Sequence, residues 1–395
     1  MKQYKQSDAI QRLPDQFFAK LVKKLNDFQQ QKGKDVLNLG QGNPDQPTPE
    51  HIVQSLQKAA ENPEYHMYPP FQGFDFLKEA VATYYKREYD VDLDPSSEVA
   101  ILFGSKSGLV ELSQCFLNPG DTALVPDPGY PDYWSGVAMT DAVMEPMPLL
   151  EKNNFLPDYD SMDPEVLKQA KLMFLNYPNN PTSAMADQAF FEETIELADA
   201  NDICVVHDFA YGAIGFDGQK PLSFMQVPGA KDVGVEIYTM SKTYNMAGWR
   251  VAFAVGNQSV VEALELVQDH YFVSLFGAVQ EASATALLES QECVQELNAT
   301  YEARRDLLLD GLKSSGYQVQ PCKGSFFMWV HVPNGYSSEE FADALLEQVG
   351  VFVAPGIGFG DYGEGFVRIG LNNSEETLRD AISRFQKFAD KNNIG

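Results

Sequence analysis

Between Val99 and Val255 the chain alternates short apolar runs with longer stretches of mixed polarity. The runs are AILF (100–103), TALVP (122–126), KLMFLNY (171–177), ICVVHD (203–208), VEIYTM (235–240) and VAFAV (251–255). They are β-rich and show little alternation, which predicts strands buried on both faces of a mostly parallel sheet. In FFEETIELADAND, Phe190, Phe191, Thr194, Ile195 and Ala198 share one helical face, predicting a crossover helix between two strands. This alternation is the signature of an α/β domain.

The pattern changes after Val255. A helical stretch from about Ser259 to Ser315 precedes SFFMWVHV (325–332), a helix near 338–348, GVFVAP (350–355), FVRIGL (366–371) and a final helix. This reads as a separate α+β unit. The first 45 or so residues carry too little apolar content to fold alone and are expected to pack on that unit. No internal repeat, low-complexity tract or long linker interrupts the chain.

Composition narrows the function classes. The 395 residues include 29 Lys and Arg against 56 Asp and Glu, a formal charge of −27. Such a field repels phosphate backbones and anionic lipid, so nucleic acid and a polybasic membrane anchor are poor partners, whereas a local basic pocket for one small anion is compatible with it. The four cysteines, Cys115, Cys204, Cys293 and Cys322, form no CxxC pair, which suggests neither a disulfide framework nor a zinc site. The N-terminus lacks the apolar core of a leader and no stretch has the length of a membrane span. A soluble protein of the reducing cytoplasm is expected.

The most informative segment is YTMSKTYNMAGWR (238–250), which follows a strand and sets Lys242 among the hydroxyls of Thr239, Ser241 and Thr243, with Arg250 eight residues on. A lone lysine in a polar loop is ordinarily a solvated one. Open α/β sheets, however, bind ligands at the carboxyl ends of their strands, and a lysine buried there can lose its proton and attack a carbonyl. A second strand ends in HDFAYG (207–212). Asp208 at its tip reads most simply as a cap or turn residue. Paired with Lys242, it reads as a carboxylate able to keep a pyridine nitrogen protonated.

Two further segments are weaker alone. NYPNNPTSA (176–184) is a Pro- and Asn-rich turn after a strand. FGSKSGL (103–109) runs from a strand into a helix, so the amides of Ser105 and Lys106 lie where a helix N-terminus favours phosphate, though many helix starts bind nothing. It is not a Walker sequence, and GIGFGD (356–361) has Asp361 where a dinucleotide fingerprint needs its third glycine.

Together these segments resemble, in order and spacing, the motifs of the class I/II aminotransferases, a fold type I family dependent on pyridoxal 5′-phosphate. The resemblance extends through LGQGNPDQPTPEHI (39–52), YPPFQGFDFLKEAV (68–81), DPGYPDYW (127–134), KGSFFMWV (323–330) and FVRIGLN (366–372). It implies an N-terminal segment (1–45) on a small C-terminal domain (286–395), beside a large cofactor-binding domain (46–285). Lys242 then matches the Schiff-base lysine, Asp208 the partner of the ring nitrogen, and Tyr211 with Asn180 the donors to the ring's phenolic oxygen. Tyr130 would stack on the ring, while Ser105, Lys106, Thr239 and Arg250 would hold the phosphate. Tyr68 matches a tyrosine that reaches the neighbouring subunit's phosphate, which requires a homodimer. Arg368 matches the arginine that binds the substrate α-carboxylate, with the Gly42 backbone on the same group. Three departures stand out: Ser183 where glycine is usual after NPT, Thr239 for serine, and Ala252 for a frequent glycine.

The implied activity is amino transfer between an L-amino acid and a 2-oxo acid by a ping-pong mechanism, with no metal. A C–S lyase of the same fold and a non-catalytic regulatory relative are the competing readings. No Lys or Arg occurs from Val251 to Ala303, and Tyr271, Phe272, Leu275 and Phe276 lie in that interval. That favours an uncharged substrate side chain, and QDHYFVSLFGAVQEA (268–282) resembles the bacterial methionine-salvage transaminases acting on 4-methylthio-2-oxobutanoate. Aspartate is the alternative substrate.

Overall fold

The computed structural model describes residues 2–32 and 35–394. Among the described residues the large sheet has seven strands, in the order Val99–Leu102, Ala252–Gly256, Gly234–Thr239, Cys204–Asp208, Ala170–Leu175, Thr122–Asp127 and Val143–Pro148. Ala252–Gly256 runs antiparallel to both neighbours, and the other pairings are parallel. The fold is α/β with a mostly parallel central sheet. Six strands follow the apolar runs, with no end displaced by more than two residues. Val143–Pro148 has no such run. It is an edge strand whose Val143 and Met144 are exposed, and its two prolines are tolerated because one side has no neighbour to bond.

Successive strand residues enter opposite apolar layers. Met173, Val205 and Phe253 pack in one, and Phe174, Val206 and Ala254 in the other, so both faces are covered. The helical stretch after Val255 divides into Gln258–Tyr271, Gly277–Leu288 and Glu292–Ser314. A second core gathers Leu308, Leu312, Phe341, Leu345, Leu378 and Phe385. It underlies an antiparallel sheet of Ala354–Pro355, Phe366–Gly370 and Phe327–His331.

The N-terminal residues touch both regions. Helix Phe17–Lys32 places Leu21 and Leu25 in a cluster with Trp329, Leu346, Phe352 and Phe359. Leu37–Asn38 pairs in parallel with Val351–Phe352. Ahead of them, Arg12 Nε donates to Ala138 O at 3.0 Å, on helix Asp132–Thr140 beside the large sheet. No helix of the described residues is long and apolar enough to cross a membrane.

Helices Asp75–Tyr89 and Gln258–Tyr271 are joined by a buried ion pair, Lys78 Nζ to Glu265 Oε1. Burial pushes the Glu265 carboxyl up and Lys78 holds it down. Removing one partner strands the other charge, which costs about 3–5 kcal/mol, whereas replacing both by apolar groups of like volume is about neutral. Lys78→Met should therefore lower the urea midpoint strongly, and adding Glu265→Leu should restore most of it.

Candidate active site

The carboxyl ends of the parallel strands open into a cleft of about 560 Å³. It gathers Gly42, Ser105, Lys106, Tyr130, Asn180, Asp208, Tyr211, Thr239, Lys242, Arg250 and Arg368. Residues far apart in sequence meet there because each sits at or just beyond a strand end, or on the small sheet facing it.

Asp208 closes the strand Cys204–Asp208 and is buried. Its Oδ2 accepts from the Tyr133 hydroxyl at 2.8 Å, while Oδ1 is buried with no partner. Desolvation pushes its carboxyl up to about 6 against the Tyr133 hydrogen bond and nearby positive charge. Lys242 lies in the short helix Met240–Thr243, which Thr239 caps by accepting from the Ser241 amide at 3.2 Å. Lys242 Nζ donates to Gly42 O at 2.8 Å. Burial first, then the charges of Arg368 and Arg250, bring its ammonium down to about 8.

One end of the cleft suits an anion. Helix Ser105–Phe116 begins there behind Gly104, which has φ 85° and offers no capping side chain, so the first amides face outward. A Cβ at Gly104 would overlap the Arg250 guanidinium, so this position needs glycine for its conformation and for the close approach. Arg250 Nη1 donates to Ala247 O at 3.0 Å. Thr239 and Ser241 line the same end.

At the other end, Arg368 is buried and has no carboxylate partner among the described residues. Its Nη1 donates to Asn180 Oδ1 at 2.8 Å, Nη2 donates to Gly40 O at 2.9 Å, and Nε is unpartnered. The guanidinium lies 3.9 Å from the Phe327 ring centroid and 4.7 Å from that of Phe359. Burial lowers its pKa to about 10. Ser183 has φ 63°, the left-handed conformation that explains glycine at this place in relatives of the motif. Its side chain is nonetheless accommodated, with the hydroxyl donating to Phe327 O. Ala252 opens its strand, paired with Leu102 and Thr239.

Several expected residues sit elsewhere or differently. Tyr68 is 89% exposed and outside the cleft. Tyr271, Phe272, Leu275 and Phe276 do not line it either, so their apolar character does not reach a substrate bound within the same chain. Lys106 Nζ pairs with Asp132 Oδ1 at 3.0 Å. Conversely, Phe18, Leu21, Val22 and Leu25 of the N-terminal helix do line the cleft, as do Asn176, Ser241 and Phe327. The i, i+3, i+4, i+7 apolar spacing from Phe18 to Leu25 marked that helix as amphipathic, but nothing local says where its apolar face goes.

Residues 34–385 match the family model described as aminotransferase class I and II. The chain belongs to that family. It is a transaminase. It is 61% identical over 385 residues to the L-glutamine–4-(methylsulfanyl)-2-oxobutanoate aminotransferase of Bacillus subtilis strain 168, covering 98% of this chain and 96% of the relative. It is 44% identical over 382 residues to the LL-diaminopimelate aminotransferase of Moorella thermoacetica, covering 97% and 98%. The substrate-bound BacF structure from Bacillus subtilis superposes with a TM-score of 0.93 at 48% identity, covering 98% of both chains.

The Asp208 environment makes a stability prediction for the aminotransferase without cofactor. Its folded pKa, about 6, lies above the ordinary 3.8. Between those values the folded chain holds a proton that the unfolded chain releases, so stability falls as pH rises through the window, and the loss persists above it. Asp208→Asn should accordingly raise unfolding stability at pH 7 by on the order of 2 kcal/mol in cofactor-free protein, and by much less at pH 4. Urea unfolding at the two pH values checks this.

Proposed function

We propose that the cleft holds pyridoxal 5′-phosphate and that the enzyme transfers amino groups between glutamine or large neutral amino acids and 2-oxo acids such as 4-(methylsulfanyl)-2-oxobutanoate. The observation that carries the cofactor reading is the buried, unpartnered Oδ1 of Asp208 in one cleft with Lys242. An ionised acceptor left without a donor suits a protonated ring nitrogen. Tyr211 and the Asn180 amide nitrogen, left free while its oxygen accepts from Arg368, serve as donors to the phenolic oxygen. Tyr130 covers the ring. The Ser105 and Lys106 amides, the Thr239 hydroxyl and Arg250 hold the phosphate.

The cofactor supplies the electron sink that acidifies the substrate's α-carbon. Lys242 would hold it covalently and, as the free amine, would move the proton at the substrate's α-carbon. Burial and the neighbouring charges of Arg368 and Arg250 lower its pKa, which favours the unprotonated amine that a base requires. Arg368, pre-positioned by Asn180 and lacking a carboxylate of its own, takes the substrate α-carboxylate together with the Gly42 backbone.

The substrate side chain then meets Phe18, Leu21, Val22 and Leu25, an apolar wall. Lys106, the cation at hand for a second carboxylate, is already paired with Asp132. Both observations favour neutral side chains over aspartate, and the name of the 61%-identical Bacillus relative points the same way. The enzyme acts in the cytoplasm as a homodimer. Met67, Tyr68, Phe71, Tyr271 and Phe276 form exposed apolar surface suited to a second copy, which would bring Tyr68 to the partner's phosphate.

Borohydride reduction of the yellow holoenzyme, followed by peptide mapping, should place a pyridoxyl adduct on Lys242. An adduct elsewhere would refute the assignment. The half-reaction rate constant should favour methionine over aspartate. Asp132→Asn, which frees Lys106, should move that ratio toward aspartate by about threefold or more. An unchanged ratio would mean that Lys106 does not face the substrate side chain.

A further inference from the structure

Behind the cleft lies a polar cluster that the chemistry leaves unused. Glu236, wholly buried in the strand Gly234–Thr239, receives four hydrogen bonds. Its Oε1 accepts from the Tyr85 hydroxyl at 2.6 Å and the Ser223 hydroxyl at 2.7 Å. Its Oε2 accepts from the Phe224 amide at 2.8 Å and faces His207 Nδ1 at 2.8 Å. None of these residues lines the cleft. Apolar residues of similar volume would stabilise such a position at least as well, so a saturated carboxylate in the core calls for another explanation.

His207 supplies it. The ring is wholly buried among Phe191, Phe209 and Phe224, and its Nε2 lies 3.1 Å from Tyr177 O and 3.3 Å from Tyr177 N. Tyr177 opens the turn that carries Asn180 to Arg368. Pro178 and Pro181 have no amide hydrogen, and the amides of Asn179, Asn180, Thr182 and Ser183 all bond within the turn, so the main chain spends its donors on its own shape. Asn180 N donates to Asn176 Oδ1 at 2.7 Å and Asn179 N donates to Ala184 O at 2.9 Å. Side chains reach further, Asn176 Nδ2 to Asp208 O at 2.7 Å, the Tyr177 hydroxyl to Phe155 O at 2.9 Å and the Ser183 hydroxyl to Phe327 O. Among these contacts His207 is the one that holds the Tyr177 main chain itself from the neighbouring strand. His207 fixes the turn to the neighbouring strand, and Glu236 fixes His207 to the strand leading to Lys242.

We infer that His207, oriented by Glu236, is a positioning residue for the Tyr177–Asn180 turn and through it for the Asn180–Arg368 carboxylate clamp. The inference rests on the reading of Arg368 as that clamp. The contact that matters is the Nε2 side, so the two amide replacements separate a positioning role from simple core filling. Gln places its amide near the Nε2 position and can hold Tyr177. Asn places its amide near the Nδ1 position, keeps Glu236 company and leaves Tyr177 unheld.

The test uses holoenzyme and pentanoate, which carries a carboxylate and an alkyl chain but no amino group, with calorimetric binding as the readout. His207→Asn should weaken pentanoate binding by about tenfold and raise KM for methionine similarly, with kcat changed by less than about threefold, while His207→Gln stays within about threefold of wild type. Equal behaviour of the two variants would overturn the inference. If His207→Asn does not fold, Glu236→Asp, which retracts the carboxylate from Nδ1 and keeps its charge, should weaken pentanoate binding by about threefold or more, and wild-type affinity there would overturn it as well. Arg368→Ala is the separate control: it should abolish pentanoate binding, and retained binding would overturn the clamp itself.

Discussion

A guanidinium withdrawn from water and given no carboxylate is the constraint around which this cleft is arranged. Arg368 is held by one amide oxygen, one carbonyl and aromatic faces. Those contacts replace part of its hydration without neutralising it. The unspent charge has two consequences. It leaves a bidentate site for a carboxylate, and its field helps drive the Lys242 ammonium toward the neutral amine. Asp208, with one buried oxygen unpartnered, is the complementary case of opposite sign. Each group is destabilised for a ligand it has yet to meet, and the large apolar layers around the sheet carry that cost.

Tolerance of such groups depends on rigid strand ends. The residues concerned do not sit on long mobile loops. Asp208 is the last residue of its strand, Lys242 lies three residues beyond another, and Arg368 lies within a third. Where the backbone must bend sharply, the chain uses left-handed conformations at Gly104, Ser183 and Arg250. At Ser183 the strain that glycine would avoid is offset by a buried hydroxyl bond to Phe327 O, which ties the Asn180 turn to the small sheet bearing Arg368.

Much of this was legible in the sequence, for identifiable reasons. Strands buried on both faces write themselves as unbroken apolar runs, which mark the strand ends where Lys242 and Asp208 stand out, but the roles given to them and to Arg250 came from the resemblance to the aminotransferase motifs and not from spacing. The edge strand Val143–Pro148 was not legible, because one exposed side and two prolines erase the run. The lining by Phe18 and Val22 escaped for another reason: amphipathic spacing defines an apolar face but not its destination, which here is a cluster with Trp329, Leu346, Phe352 and Phe359 from the far end of the chain. The pairing of Lys106 with Asp132 is likewise a contact between the starts of two helices that no local pattern announces.

The N-terminal helix has a further significance. It lines the cleft that holds Lys242 and Asp208, yet it is rooted through Leu21 and Leu25 in a cluster with Trp329, Leu346 and Phe352, apart from the layers that flank the large sheet. In the proposed function, recognition of the side chain and the reaction itself would therefore fall to separately encoded parts of the chain. Substitutions at positions such as Val22, which faces the cleft yet remains largely exposed, can remodel the accepted side chain while leaving the proton-transfer apparatus untouched. A fold partitioned in this way can diversify its substrates one helix face at a time.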